Sequence, residues 1–171
     1  YSLLKALCKP GIALLNSDDK FLAKKLRQAN TSQVRFGFSL DNKCEFQVTA
    51  MEKYPQKLEF YVNKKYRFGL KTPGPHNIYN ALAAIACGRI LGLSYPEMSK
   101  RLNTFEFPAG RFRRFELNGC NFIDDTYNSN PASLAQALIA LKDFKVRGRK
   151  ILIMGDMLEL GEYEEEGHRR V

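Results

Sequence analysis

The sequence predicts an α/β protein: the end of an α/β domain that carries an antiparallel β portion, followed by the start of a Rossmann-like domain. Three observations predict it. A short apolar run, Ile12-Ala13-Leu14-Leu15, has the texture of a parallel strand buried on both faces. Four later runs alternate apolar and polar residues, as half-exposed strands do. Beyond Phe107-Pro108-Ala109-Gly110 the pattern changes to hairpin, helix and a second apolar run, Ile151-Leu152-Ile153-Met154.

Taken in order, Leu3 to Leu7 reads as the end of a helix, broken by Lys9-Pro10-Gly11. After the first strand, Asn16 to Asp19 forms a turn in which either Asp can cap a helix. Phe21, Leu22 and Leu26 of that helix are expected to face the core. Val34 to Phe38, Cys44 to Val48, Leu58 to Val62 and Tyr66 to Leu70 read as an antiparallel meander. Asn63-Lys64-Lys65 is the hairpin turn between the last two. An Ala-rich helix runs from Asn77 to Leu91, with Ile78, Leu82, Ile85 and Ala86 in register, and ends at Gly92. Ser94-Tyr95-Pro96-Glu97 has capping-box spacing for a second helix. The linker then divides the chain into residues 1–108 and 109–171, with Gly110 as the joint. Strands over Phe112 to Leu117 and Asn121 to Asp124 flank an Asn118-Gly119 turn. A helix from Ala132 to Phe144, a strand over Ile151 to Met154 and a helix near Glu162 complete a right-handed β-α-β opening.

Composition narrows the function classes. A hydrophobic content of 44% over 171 residues supports a packed core and excludes disorder. No apolar run approaches the roughly 20 residues of a membrane span, and no signal peptide is visible. Both ends read as cuts in a longer protein. Cys8, Cys44, Cys87 and Cys120 lack metal-ligand spacing, and Cys87 is expected in the core. Reduced thiols fit a cytoplasmic location. The net charge of +9 raises a nucleic-acid-binding module, with Lys24-Lys25-Leu26-Arg27, Lys64-Lys65-Tyr66-Arg67 and Arg111-Phe112-Arg113-Arg114 as its clusters. Such a module leaves the ordered polar segments below unexplained.

The densest of those segments is Asp124-Asp125-Thr126-Tyr127-Asn128-Ser129-Asn130-Pro131, at a strand-to-helix corner where α/β folds bind ligands. Asn130 and Pro131 suit a helix cap and first turn. The acidic pair and Tyr127-Asn128 are left over, as groups able to bond a sugar hydroxyl or a polar substrate. His76-Asn77-Ile78-Tyr79-Asn80 places Asn77 and Asn80 on one helix face. Each amide has the donor and acceptor that an adenine edge requires, although Asn77 could simply cap the helix. Arg111 can pair with phosphate or belong to a solvated basic run. Asp156 and Glu159 follow an apolar run and can orient an amine or cap the next helix; His168 lies beyond them in a helix, beside Arg169 and Arg170.

Together these segments resemble the Mur ligases, the ATP-dependent amide ligases of peptidoglycan precursor synthesis. The resemblance rests on five segments in family order: Leu15 to Asp19, Gly74 to Ala84, Gly110-Arg111, Asp124 to Pro131, and Gly155 to Gly161 followed by His168. The last two segments look like the branch that joins D-alanyl-D-alanine to UDP-N-acetylmuramoyl-tripeptide. By resemblance, His76, Asn77 and Asn80 line an adenine pocket, Arg111 reaches the nucleotide phosphates as the catalytic cation, and Asp125 lies near the ribose. Tyr127, Asn128, Asn130, Asp156, Glu159 and His168 become substrate-side candidates. The resemblance implies ATP and Mg2+ as cofactors, a monomeric parent and no nucleic-acid partner. It also places the family's phosphate loop and metal-binding acid upstream of Tyr1, so no metal ligand is expected within this chain and the chain alone is expected to be inactive. A related ligase, either another Mur ligase or folylpolyglutamate synthase, is the alternative.

Overall fold

The structure, a computed structural model, describes residues 6–7, 11–22, 32–38, 44–54, 57–72 and 74–171. The chain forms two compact units, Tyr1–Phe105 and Glu106–Val171, so the division falls three residues before the expected boundary after Pro108. The expected early helix and Cys8 lie largely outside the described residues, as do Leu26 and the basic cluster at 24–27.

The first unit holds a five-stranded mixed sheet in the order β1-β2-β3-β4-β5. Its strands are β1 (Ile12–Asn16), β2 (Ser32–Gly37), β3 (Phe46–Tyr54), β4 (Lys57–Val62) and β5 (Tyr66–Leu70). The expected antiparallel meander is corrected here: β2 runs parallel to both β1 and β3, and only β3-β4 and β4-β5 are antiparallel. Alternation has period 2 in either direction, so it fixes the faces of a strand and not its polarity. The turn that fixes polarity is where the sequence marks it. Asn63 and Lys64 have φ of 53° and 60°, a pair of left-handed residues that turns β4 into β5. The Asn63 amide also stitches the turn to the sheet, accepting from Gln47 N at 2.8 Å and donating to Glu45 O at 2.7 Å.

Asp19 is the helix cap after β1, accepting from the N–H groups of Phe21 and Leu22 at 2.9 Å each. Leu22 packs on Ala13 and Leu15. Phe21 is 70% exposed, contrary to the expected core position, because the capped turn points it outward. Cys87 is likewise exposed rather than in the core.

Among the described residues, the helices α1 (Asn77–Ile90) and α2 (Tyr95–Thr104) pack on the sheet. Ile78, Leu82, Ile85 and Ala86 of α1 pack with Leu58, Phe60, Val62 and Phe68 in one core cluster, joined by Met98 of α2. Burying each Ile, Leu, Val, Phe or Met side chain of the cluster stabilises by about 1.5–3 kcal/mol. Helix α1 ends where Leu93 N bonds to Gly88 O and Gly92 N to Arg89 O, with Gly92 at φ 88°. Helix α2 opens on the Ser94–Glu97 capping box.

The second unit begins with a hairpin of β6 (Arg113–Leu117) and β7 (Cys120–Asp124), turned at Asn118 and Gly119. Helix α3 (Pro131–Asp143) follows, then a single 3-10 turn at Gly161–Tyr163 and the short α4 (Glu164–Arg169). The expected strand over Ile151 to Met154 does not form. An apolar run signals burial, but a strand also needs a ladder partner, and among the described residues β7 pairs only with β6. Ile153 is 91% exposed as a result.

On the face of β4 away from the core, Glu59 is 6% exposed and ion-paired with both Lys57 and Arg67. The hydrogen bonds from Lys57 and then Arg67 hold its carboxyl below the ordinary value of 4.5. A depressed carboxyl contributes stability above its unfolded-state pKa and loses it as pH falls through the folded one. Thermal melts from pH 7 to pH 3 should therefore show the advantage of the wild type over Glu59→Gln shrinking below about pH 4.5. A pH-independent difference would remove the charge contribution.

Candidate functional site

At the start of α1 the backbone caps itself. His76 is the N-cap without a side-chain cap bond. The N–H groups of Asn77, Ile78 and Tyr79 donate to the carbonyls of Gly74, Pro75 and His76 at 3.0–3.2 Å. These amides are spent inside the turn, so this helix end offers side chains rather than open N–H groups.

Those side chains form a relay. Asn80 Nδ2 donates to Asn77 Oδ1 at 3.3 Å, and Asn77 Nδ2 lies 3.1 Å from His76 Nε2. Asn77 is buried and does not act as the cap; Asn80 is exposed and is oriented by it. Gly74 admits the ring of His76, since a Cβ there would lie 2.7 Å from His76 Cε1. Sequence reasoning missed a second contact of this turn. Tyr79 OH donates to Asp18 Oδ2 at 3.0 Å, across 61 residues, a separation no local spacing reveals.

In the second unit, the acidic pair grips the linker that precedes β6. Asp124 accepts from Gly110 N at 3.0 Å and from Thr126 Oγ1 at 2.7 Å; Asp125 accepts from Phe112 N at 3.0 Å. The Thr126 hydroxyl, then the Gly110 N–H, hold the Asp124 carboxyl below the usual range. Tyr127 N closes the corner by donating to Gly110 O at 3.0 Å. Gly110, the expected joint, is thus tied to this unit through both of its backbone groups. Arg111 lies over the Tyr127 ring, its guanidinium carbon 3.9 Å from the centroid. Arg111, Asp125 and Tyr127 are therefore brought together, with Tyr127 and Asn128 exposed beside them. Asn130 takes the cap position: its Oδ1 accepts from Ser133 N at 2.9 Å.

The last candidates sit around α4. His168 Nε2 accepts from Met157 N at 2.9 Å, and its Nδ1 lies 2.8 Å from Glu164 O. An acceptor Nε2 assigns the proton to Nδ1, which donates to that carbonyl. His168 therefore pins the loop of residues 155–160 to α4, with Met157 fully buried beneath it. Asp156 is exposed, 4.0 Å from His168 Nε2. Glu159 has φ 63°. Neither acid caps a following helix, since the caps are Leu160 and Tyr163, without side-chain bonds. Among the described residues no group of three or more His, Cys, Asp or Glu converges as a metal site.

Gly110 and Gly119 give a controlled test of the corner. Both have left-handed φ, 72° and 73°, but a Cβ on Gly110 would lie 3.0 Å from Tyr127 N while Gly119 faces open space. Each Ala substitution should cost about 1–2 kcal/mol for its dihedral. Gly110→Ala should cost more, and urea melts of the two variants measure the excess. Equal losses would mean that the corner yields freely.

Comparison with known proteins places both units. The Mur ligase middle domain matches residues 1–88, and the Mur ligase, glutamate ligase domain matches residues 110–171. A UDP-N-acetylmuramoyl-tripeptide–D-alanyl-D-alanine ligase of Bacillus subtilis is 36% identical over 97 residues, 56% of this chain and 21% of the relative. A UDP-N-acetylmuramate–L-alanine ligase of Microcystis aeruginosa is 46% identical over 85 residues, 47% of this chain and 17% of the relative. The crystal structure of MurF from Acinetobacter baumannii superposes with a TM-score of 0.84 at 29% identity, over 97% of this chain and 36% of that one. MurF ligase from Thermotoga maritima in complex with ADP superposes at 0.75 and 26% identity, over 93% of this chain and 36% of that one. The chain thus spans about a third or less of the length of these proteins, and within that span, with both units matched in order, it belongs to the Mur ligase family.

Proposed function

We propose that this chain is the adenine side and part of the acceptor side of an ATP-dependent ligase that joins D-alanyl-D-alanine to UDP-N-acetylmuramoyl-tripeptide in peptidoglycan precursor synthesis. The observation that carries the reading is the His76–Asn77–Asn80 relay, an oriented set of amides at a helix start whose backbone is already satisfied. The Thermotoga relative solved with ADP, and the Bacillus relative named for this reaction, support it.

ATP with magnesium would activate the tripeptide carboxylate as an acyl phosphate, and the amine of D-alanyl-D-alanine would displace phosphate to form the amide, leaving ADP. This chain's own residues would do the following. Asn77 would hold the amide of Asn80 to the adenine edge, with His76 behind it. Asp125, fixed by Phe112 N through one oxygen, would turn the other toward the ribose. Arg111 would offer its in-plane N–H groups to phosphate, a placement that stabilises developing charge. Tyr127, Asn128, Asp156 and Glu159 would face the acceptor. Asn130 and His168 would act by holding the backbone of that face in place. The phosphate loop and metal ligands would be supplied by parts of the ligase outside this sequence. We place the boundary between the middle and C-terminal domains within the linker, at Pro108. Cys44, Cys87 and Cys120 are free thiols, in keeping with a cytoplasmic enzyme, and among the described residues no helix is long and apolar enough to cross a membrane.

The rival acceptor is a single amino acid, which the 46% identity to the Microcystis L-alanine ligase favours over its 85 residues. An amide-forming assay of the complete ligase with D-alanyl-D-alanine and with L-alanine separates the two, and turnover with L-alanine alone would overturn the dipeptide reading. This chain by itself should release no ADP in the same assay. In the complete enzyme, Arg111→Ala should lower kcat about ten- to hundredfold, the worth of a hydrogen bond to a charged group. Its melting temperature should change little, because the side chain lies on an exposed ring. Unchanged kcat would remove the phosphate role.

A further inference from the structure

Tyr79 sits in the first turn of α1, between Asn77 and Asn80, and its hydroxyl ties that turn to a distant part of the unit. It donates to Asp18 Oδ2, which also accepts from Phe38 N at 2.6 Å. One carboxylate oxygen thus joins three segments: the turn after β1, the residue that follows β2, and the start of α1. The fit is close. A Cβ on Gly37 would lie 2.8 Å from Asp18 Oδ2, so glycine at the end of β2 lets the carboxylate in. The Phe38 and Tyr79 rings pack with centroids 4.8 Å apart. Burial first, then the bond to Asp18, pushes the phenol up to about 12, so it remains a donor wherever an enzyme works. The turn it holds lacks a side-chain cap of its own.

We propose that Tyr79 and Asp18 are a positioning pair, whose hydrogen bond fixes the first turn of α1 at the carboxyl edge of the sheet and thereby sets the selectivity of Asn80, held by Asn77, for adenine. The inference rests on the adenine reading of those asparagines. Tyr79 acts through the helix and touches no base. An amide reading a base edge is sensitive to small displacements, because hydrogen bonds weaken steeply with misalignment. Loosening the turn should therefore cost the cognate base more than a near analogue.

The test uses the complete ligase and two probes, ATP and inosine triphosphate, which has an oxo group in place of the adenine amino group. Dissociation constants from calorimetry, with thermal melts, are compared for the wild type, Tyr79→Phe, Asp18→Asn, the double variant and Asn80→Ala. Tyr79→Phe keeps the ring on Phe38 and removes only the hydroxyl. It should weaken ATP about five- to tenfold and inosine triphosphate less than about twofold. Asp18→Asn retains an acceptor oxygen and should keep most of the preference for ATP. The double variant should be no worse than Tyr79→Phe, since one bond is lost once. Equal weakening of both probes by Tyr79→Phe, or no weakening, would overturn the positioning role while leaving the adenine reading intact. Asn80→Ala should abolish the preference; if the preference survives, the adenine reading falls and the positioning role with it.

Discussion

The apolar contact between α1 and the sheet governs the polar groups of the first unit. Ile78, Leu82 and Ile85 are essentially fully buried, against Leu58, Phe60 and Phe68. Each such side chain is worth about 1.5–3 kcal/mol, whereas a hydrogen bond nets about 1 kcal/mol. Packing therefore decides the rotation of the helix, and the amides take the positions left to them. Asn77, beside Ile78 and above the core, is buried; Asn80, nearly a full turn further on, emerges at the rim.

The second unit is organised by a different force. Its buried apolar residues are few, Phe112, Ala140 and Met157 among them, while Ile151 and Ile153 are exposed. Its shape comes from side chains that satisfy backbone groups. Asp124 and Asp125 accept from the linker, Asn130 from α3, and His168 joins the loop at Met157 to α4. Several residues that draw attention as reactive groups are in fact holding the chain, and they present their neighbours, Arg111 and Tyr127 foremost, to solvent.

This difference explains what could be read from the sequence. Helix α1 and its end at Gly92 were legible because periodicity and the glycine cap are local. The same holds for the Ser94–Glu97 and Asn130–Pro131 caps and for the two hairpin turns. The polarity of β2 was not legible, since alternation is blind to direction. Nor was the fate of Ile151 to Met154, which depends on a pairing partner rather than on its own composition. For the candidate site, ordered motifs nominate Asn77, Asn80, Arg111 and Asp125, and the structure adds what each touches. The contact between Asp18 and Tyr79 was not legible, although both lie in motif segments, because it is made by the fold and by a glycine, Gly37, that no motif marks.

The contact of Arg111 with the Tyr127 ring has a consequence for how an anion would be received. The guanidinium carbon lies 3.9 Å from the ring centroid, and a guanidinium carries all five N–H groups in its own plane. Free arginine side chains sample many rotamers, and freezing one costs up to about 2 kcal/mol. Here part of that entropy is surrendered before any ligand arrives, to a ring whose own backbone is clamped to Gly110. In the phosphate role proposed for Arg111, this contact would preorganise the guanidinium, so that more of the attraction to phosphate would be expressed as rate or affinity.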